Sequence, residues 1–338
     1  MSARSDELNE PVVLRDKSPY QLVRAANLGR PAGVTTAEDF REIREEEISG
    51  IPGAAWLYRD YTETHLLYLR AAHTLLYLMQ VTVFVVAVSL SKGVFLEVTE
   101  DNITPFTPQP EMVFAFWIFL LLLEALFMFV VFRRTLTTVE LLAKQMSWYY
   151  FPKYCFLGTY FYFQFTGGEN SAIINLSLLA ALYPLIHLVY HRVKYLDDGR
   201  FVVTWMELFG VQVNISFYAA WIQSRLLHEV FVAISYFNGE SSQILGWTNS
   251  HWAVLANVLI FCIGVIYLSA YKDVFFNIVI IYTYVGVYIQ QAHCPADNHG
   301  MCTSEIQKTV IVLGVILTIF VLLVLALYNR QILYMRRS

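Results

Sequence analysis

The sequence predicts an all-α fold: a polytopic membrane helix bundle with eight transmembrane helices and both termini cytoplasmic. Three observations carry this reading. Charged residues make up only 15% of the chain and hydrophobic ones 57%, whereas a soluble domain is about 25% charged. Apolar runs recur at the length of about 20 residues that a helix needs to cross a bilayer. Lys and Arg collect in alternate connections, as the positive-inside rule requires.

The bulk numbers also exclude classes. The formal net charge is −4, so no basic field attracts nucleic acid. Four cysteines do not make a disulfide scaffold. The first apolar run begins near residue 72, behind a polar and partly acidic region, which argues against a signal peptide or a mitochondrial transit peptide. A plasma-membrane or endomembrane location is favoured over other compartments.

Three regions follow along the chain. Residues 1–71 form a polar cytoplasmic region with short helices. Thr36 and Asp39 open a charged helix, and Ser49-Gly-Ile-Pro-Gly breaks it. Trp56 to Arg70 is rich in amphipathic aromatics and reads as an interfacial lead-in. Residues 72–329 hold the spans, at about 72–91, 112–132, 147–166, 172–191, 202–223, 252–271, 273–291 and 308–329. Residues 330–338 form a basic cytoplasmic tail. The third span carries Pro152, Lys153 and Gln164. The sixth and seventh are separated only at Lys272, which demands a tight antiparallel hairpin.

With a cytoplasmic N-terminus, eleven Lys and Arg fall inside, Lys153 among them, and only Lys92, Arg225 and Lys308 fall outside. The outer loops are acidic instead. Loop 292–307 contains Cys294 and Cys302 on the side where disulfides persist. A Cys294–Cys302 disulfide fits this loop. Zinc held by His293, His299 and the two thiols is the other reading, although the spacing is not a standard ligand pattern. Asn102-Ile-Thr is a glycosylation sequon on the same side.

Met206 to Trp221 is the informative stretch. At helical spacing Glu207, Val211, Asn214, Tyr218, Trp221, Arg225 and His228 share one stripe, which should face protein. Apolar character continues to Tyr236, too far for one crossing, and Arg225 and Glu229 are spaced to pair on one helix face. Glu124 lies in the second span, where an ionised carboxylate costs at least about 2.5 kcal/mol. Gln212 and Asn214 reach a similar depth, so Glu124–Asn214 or Glu124–Gln212 is the expected contact.

Several segments resemble the eight-span branch of the tryptophan-rich sensory protein and translocator protein family (TspO/MBR-related). Thr104-Pro-Phe-Thr-Pro leads into Val113-Phe-Ala-Phe-Trp117. Glu207-Leu-Phe, Ser216-Phe-Tyr218 and Trp221 follow the family's spacing. Lys272-Asp273-Val-Phe-Phe-Asn is similar to the opening of the family's seventh span. The chain departs from the pattern at Ile118, Leu121 and Asn214, which stand where relatives have glycine, tyrosine and proline. The resemblance implies a helical bundle whose Trp-lined cavity takes a flat apolar ligand, a tetrapyrrole or a sterol.

Taken alone, the residues admit that chemistry. Trp117, Tyr218 and Trp221 are suited to stack on a ring while Asn214, Gln212 or Glu124 bonds a polar edge. Equally, 24 Phe and 22 Tyr make packing or interfacial anchoring a sufficient role for aromatics. Two further readings stand beside ligand binding: an accessory subunit of a larger membrane complex, and a proton- or ion-coupled transporter using Glu124. Membrane lipids are expected partners, including bound lipid, and a homo-oligomer is a second form of assembly. No Gly-rich phosphate loop, nucleophile elbow or two-His metal motif points to catalysis.

Overall fold

The computed structural model describes residues 63–91, 104, 106–132, 146, 150–167, 170–196, 206, 208–238, 243–244, 246–293 and 303–335. Among them are eight α-helices: α1 (Glu63–Ser91), α2 (Pro110–Val131), α3 (Phe151–Thr166), α4 (Ser171–Leu196), α5 (Asn214–Asn238), α6 (Asn249–Tyr271), α7 (Val274–Ala292) and α8 (Ser304–Met335). Six are long and apolar enough to cross a membrane; α3 and α5 are the other two. α3 has 16 residues, about 24 Å at the α-helical rise. α5 is long but carries the buried ionic groups Arg225 and Glu229.

Local chemistry sets the helix ends. Pro110 sits at the first turn of α2, where its missing N–H removes no bond. Thr248 caps α6 by accepting from the His251 N–H, and Asp273 caps α7 by accepting from the Phe276 N–H. Between α6 and α7 the chain reverses at Lys272, which is left-handed at φ 52°. This is the tight hairpin expected from the sequence. A two-stranded hairpin, β1 (Gln243–Ile244) with β2 (Trp247–Thr248), precedes α6.

The fifth stretch departs from a single α-helix. Leu208–Val213 is a π-helical turn, and α5 begins only at Asn214. The π turn packs on α2, and Gly210 makes this approach feasible. A Cβ there would lie 3.2 Å from the Leu126 carbonyl oxygen. As expected, the helix continues well past Trp221.

α5 lies at the centre, packed on α2, α4 and α7. α1 packs on α3, α3 on α4, and α6 and α7 on α8. Gly264 on α6 marks a close meeting with its neighbours: a Cβ there would stand 2.7 Å from Asn277 Oδ1 and 2.9 Å from Ile280 Cδ1. α8 leaves Ile311, Val315, Ile319 and Leu322 exposed, a face suited to acyl chains and not to water.

Cys155 and Cys262 are free thiols on exposed helix faces. Cys294, Cys302, Asn102, Glu207 and residues 1–62 lie outside the described residues.

Candidate functional site

Two buried ionic clusters occupy the interior, with an aromatic layer between them along α5. The first is built on Glu124. Its α2 face also carries Trp117 and Leu120, so the acid points into protein. Lys153 reaches it from the first turn of α3, forming an ion pair in which both side chains are fully buried. Tyr154 O–H donates to Glu124 Oε1 at 2.8 Å. Tyr150 O–H donates to Oε2 at 3.3 Å and accepts from Lys153 Nζ at 3.0 Å. Asn214 Nδ2 donates to Oε2 at 3.4 Å. The ammonium also lies over three rings, 3.9 Å from the Tyr218 centroid, 4.5 Å from Tyr150 and 4.8 Å from Tyr154.

Of the two contacts expected for Glu124, Asn214 is present and Gln212 is not. Gln212 is half-buried, and its Oε1 has no hydrogen-bond partner. Residues two apart on a helix point about 200° apart, so the face that brings Asn214 to α2 turns Gln212 away.

The main partner is one that sequence reasoning missed. Lys153 counts as a loop cation in the orientation tally, yet it is buried, and so is Arg225. A carboxylate inside a membrane span calls for a cation at matching depth. The lysine beside Pro152 was that signal.

The second cluster joins α5 to α3 and to the segment before α2. Arg225 donates to Glu229 Oε1 at 2.9 Å and to the Tyr160 hydroxyl at 3.1 Å. His228 Nε2 lies 3.1 Å from Thr107 Oγ1, which also accepts from the Thr104 N–H at 2.7 Å. The Arg225–Glu229 pairing foreseen from spacing is therefore formed, but inside the protein.

Trp117 and Trp221 occupy the layer between, both buried and edge-to-face at 5.8 Å. Trp221 stacks on Phe116 at 4.3 Å, and Trp117 meets Phe161 at 4.9 Å. Neither indole N–H has an acceptor, and Asn214 Oδ1 has no donor. Of the predicted site residues, the structure thus gathers Trp117, Glu124, Asn214, Tyr218 and Trp221 around one interior column and leaves Gln212 aside.

A third network ties α4, α5 and α7. Asp273 Oδ2 accepts from Ser216 at 2.7 Å and Tyr190 at 2.8 Å, and pairs with Lys194 at 3.1 Å. Beside it, His187 Nδ1 meets Tyr267 at 2.8 Å and His191 Nδ1 meets Tyr271 at 2.7 Å. Among the described residues no three His, Cys, Asp or Glu side chains converge as metal ligands.

The short motifs quoted from the sequence therefore meet in space. Ser216 bonds Asp273, the Thr104–Thr107 segment bonds α5, and Trp117 touches Trp221. No curated protein and no solved structure matches the chain. The family model described as TSPO-like protein matches residues 69–328, from within α1 into α8, and the chain belongs to that family of helical membrane proteins.

Proposed function

We propose that this protein binds a flat, largely apolar ligand of the tetrapyrrole or sterol class beside the Trp117–Trp221 pair. The carrying observation is that two fully buried indoles leave both N–H groups without acceptors in an otherwise aromatic layer. Buried donors of this kind are normally satisfied, and an acceptor on a ligand's edge would satisfy them. Family membership supports the reading. The rings touch one another, so the ligand lies alongside the pair and not between the two indoles. Asn214 and the Glu124–Lys153 pair supply the polar end of the same column.

The function goes with an eight-crossing topology in which α3 and α5 also traverse the bilayer and both termini face the cytoplasm. No catalytic role is part of this reading. The test is tryptophan fluorescence of the purified protein titrated with a porphyrin and with a sterol. Quenching that saturates, and that is lost in Trp221→Ala and weakened in Trp221→Phe, is the expected result. No response to either ligand class overturns the reading.

A further inference from the structure

His73, on α1, is fully buried and lies against the first ionic cluster. Its ring packs edge-on to Phe127 at 5.8 Å and Phe151 at 4.6 Å. Its Nδ1 lies 3.3 Å from the Tyr154 hydroxyl oxygen. That hydroxyl has one proton, and the 2.8 Å contact to Glu124 Oε1 uses it. His73 Nδ1 must then be the donor. The neutral ring is left with a lone pair on Nε2, a buried atom with no partner.

These three groups form an unbroken line of hydrogen bonds: His73 Nδ1–H to Tyr154 O, then Tyr154 O–H to Glu124 Oε1. We propose that Glu124 is a proton-loading site, filled and emptied through Tyr154 from His73. A proton arriving at Nε2 makes the ring an imidazolium. Nδ1 then passes its proton to the Tyr154 oxygen while the hydroxyl passes its own to Glu124. One proton enters, the tyrosine is regenerated, and Glu124 becomes a neutral acid. The reverse sequence empties it.

Loading removes the negative partner of Lys153, and a lone buried ammonium is ordinarily prohibitive. Here three tyrosine rings within 4.8 Å face it, so the cation keeps an attractive environment when the carboxylate is neutral. An ion pair serving only to hold helices together has no need of that cage, or of an imidazole with a free lone pair wired to the acid. The groups around Glu124 are His73 and Tyr77 from α1, Tyr150 at the cap of α3, Lys153 and Tyr154 within it, and Asn214 and Tyr218 from α5. Lys153 is the one cation among them. Loading thus takes the site from neutral to singly positive, which loosens the α2–α3 contact in step with proton uptake. Loading requires no bound ligand.

The test is time-resolved infrared spectroscopy on the full chain in phosphatidylcholine vesicles after an acid pH jump. The carbonyl stretch of a protonated carboxylic acid should appear in the wild type and be missing from Glu124→Gln. Tyr154→Phe retains the ring over Lys153 and loses only the hydroxyl. It should reach the same final amplitude about a hundredfold or more slowly, within the range of general acid–base effects. His73→Phe retains the edge-on packing and should slow the signal similarly. The proposal is overturned if the folded wild type shows no Glu124-dependent band, or if either folded variant loads at the wild-type rate.

Discussion

Glu124 and Lys153 form an ion pair between α2 and α3 in which neither side chain has any exposed surface. Such a pair is costly to break from one side, because the remaining charge is stranded. Lys153→Met is expected to lower stability by about 3–5 kcal/mol. Pairing it with Glu124→Met should restore much of that loss, since two apolar side chains need no solvation. Unfolding in a denaturing-detergent titration of the two single variants and the double variant measures the coupling. Equal and additive losses would show that the two charges are not partners.

Gly264→Ala tests the meeting of α6 with α7. The new methyl would stand 2.7 Å from Asn277 Oδ1 and 2.9 Å from Ile280 Cδ1. Overpacking of this kind costs about 1–3 kcal/mol. Gly158→Ala is the control, because its nearest neighbour is Val83 Cβ at 3.9 Å. There the better helix propensity of alanine should raise stability by up to about 1 kcal/mol. Thermal melts of the two variants should therefore move in opposite directions.

Asp273 both caps α7 and gathers Ser216, Tyr190 and Lys194. Asp273→Ala removes a cap and the acceptor of Tyr190 and Lys194, while Ser216 keeps the Gln212 carbonyl at 2.7 Å, with an expected loss of about 2–4 kcal/mol. Ser216→Ala removes a single bond and should cost about 1 kcal/mol. Melting temperatures of the two variants give the comparison. A smaller effect at Asp273 than at Ser216 would contradict the network.

The proposed eight-crossing topology makes a separate prediction. Epitope tags at the two ends should be on the same side of a sealed membrane, protected together or digested together by added protease. On the opposite side, a Cys294–Cys302 disulfide should survive to peptide mapping under non-reducing conditions.

The helices were legible where a simple physical rule dominates. Apolar length marked α1, α2, α4, α6, α7 and α8, and the one-residue gap at Lys272 dictated the hairpin there. The inward stripe on α5 was legible because Asn214, Tyr218 and Trp221 recur at helical spacing, and all three are buried. The π turn at Leu208–Val213 was not, since no residue type marks a helix that widens for one turn. Lys153 was misplaced for a different reason. Cations near the end of an apolar run usually reach toward the headgroups, and only a carboxylate at matching depth on another helix reverses that preference. His73 escaped notice because its role depends on Tyr154, 81 positions away in the chain. Of the two contacts offered for Glu124, Gln212 is not the one formed, because depth alone was matched and direction was not.

The widened turn at Leu208–Val213 has a consequence for how this rod can vary in length. A π turn winds an additional residue into its circuit compared with α. Deleting one residue there would let the wide circuit close to an evenly wound rod with its two sides nearly in phase, whereas a deletion in the regular helix after Asn214 would swing its two sides apart by about 100°. Gly210 is the exception within the turn, because only a residue without a side chain fits against the Leu126 carbonyl. The spare residue keeps two halves of one rod in step with different neighbours, α2 before the junction and α4 and α7 after it. A single-residue deletion within Leu208–Val213 that spares Gly210 should therefore be better tolerated than one within Asn214–Asn238.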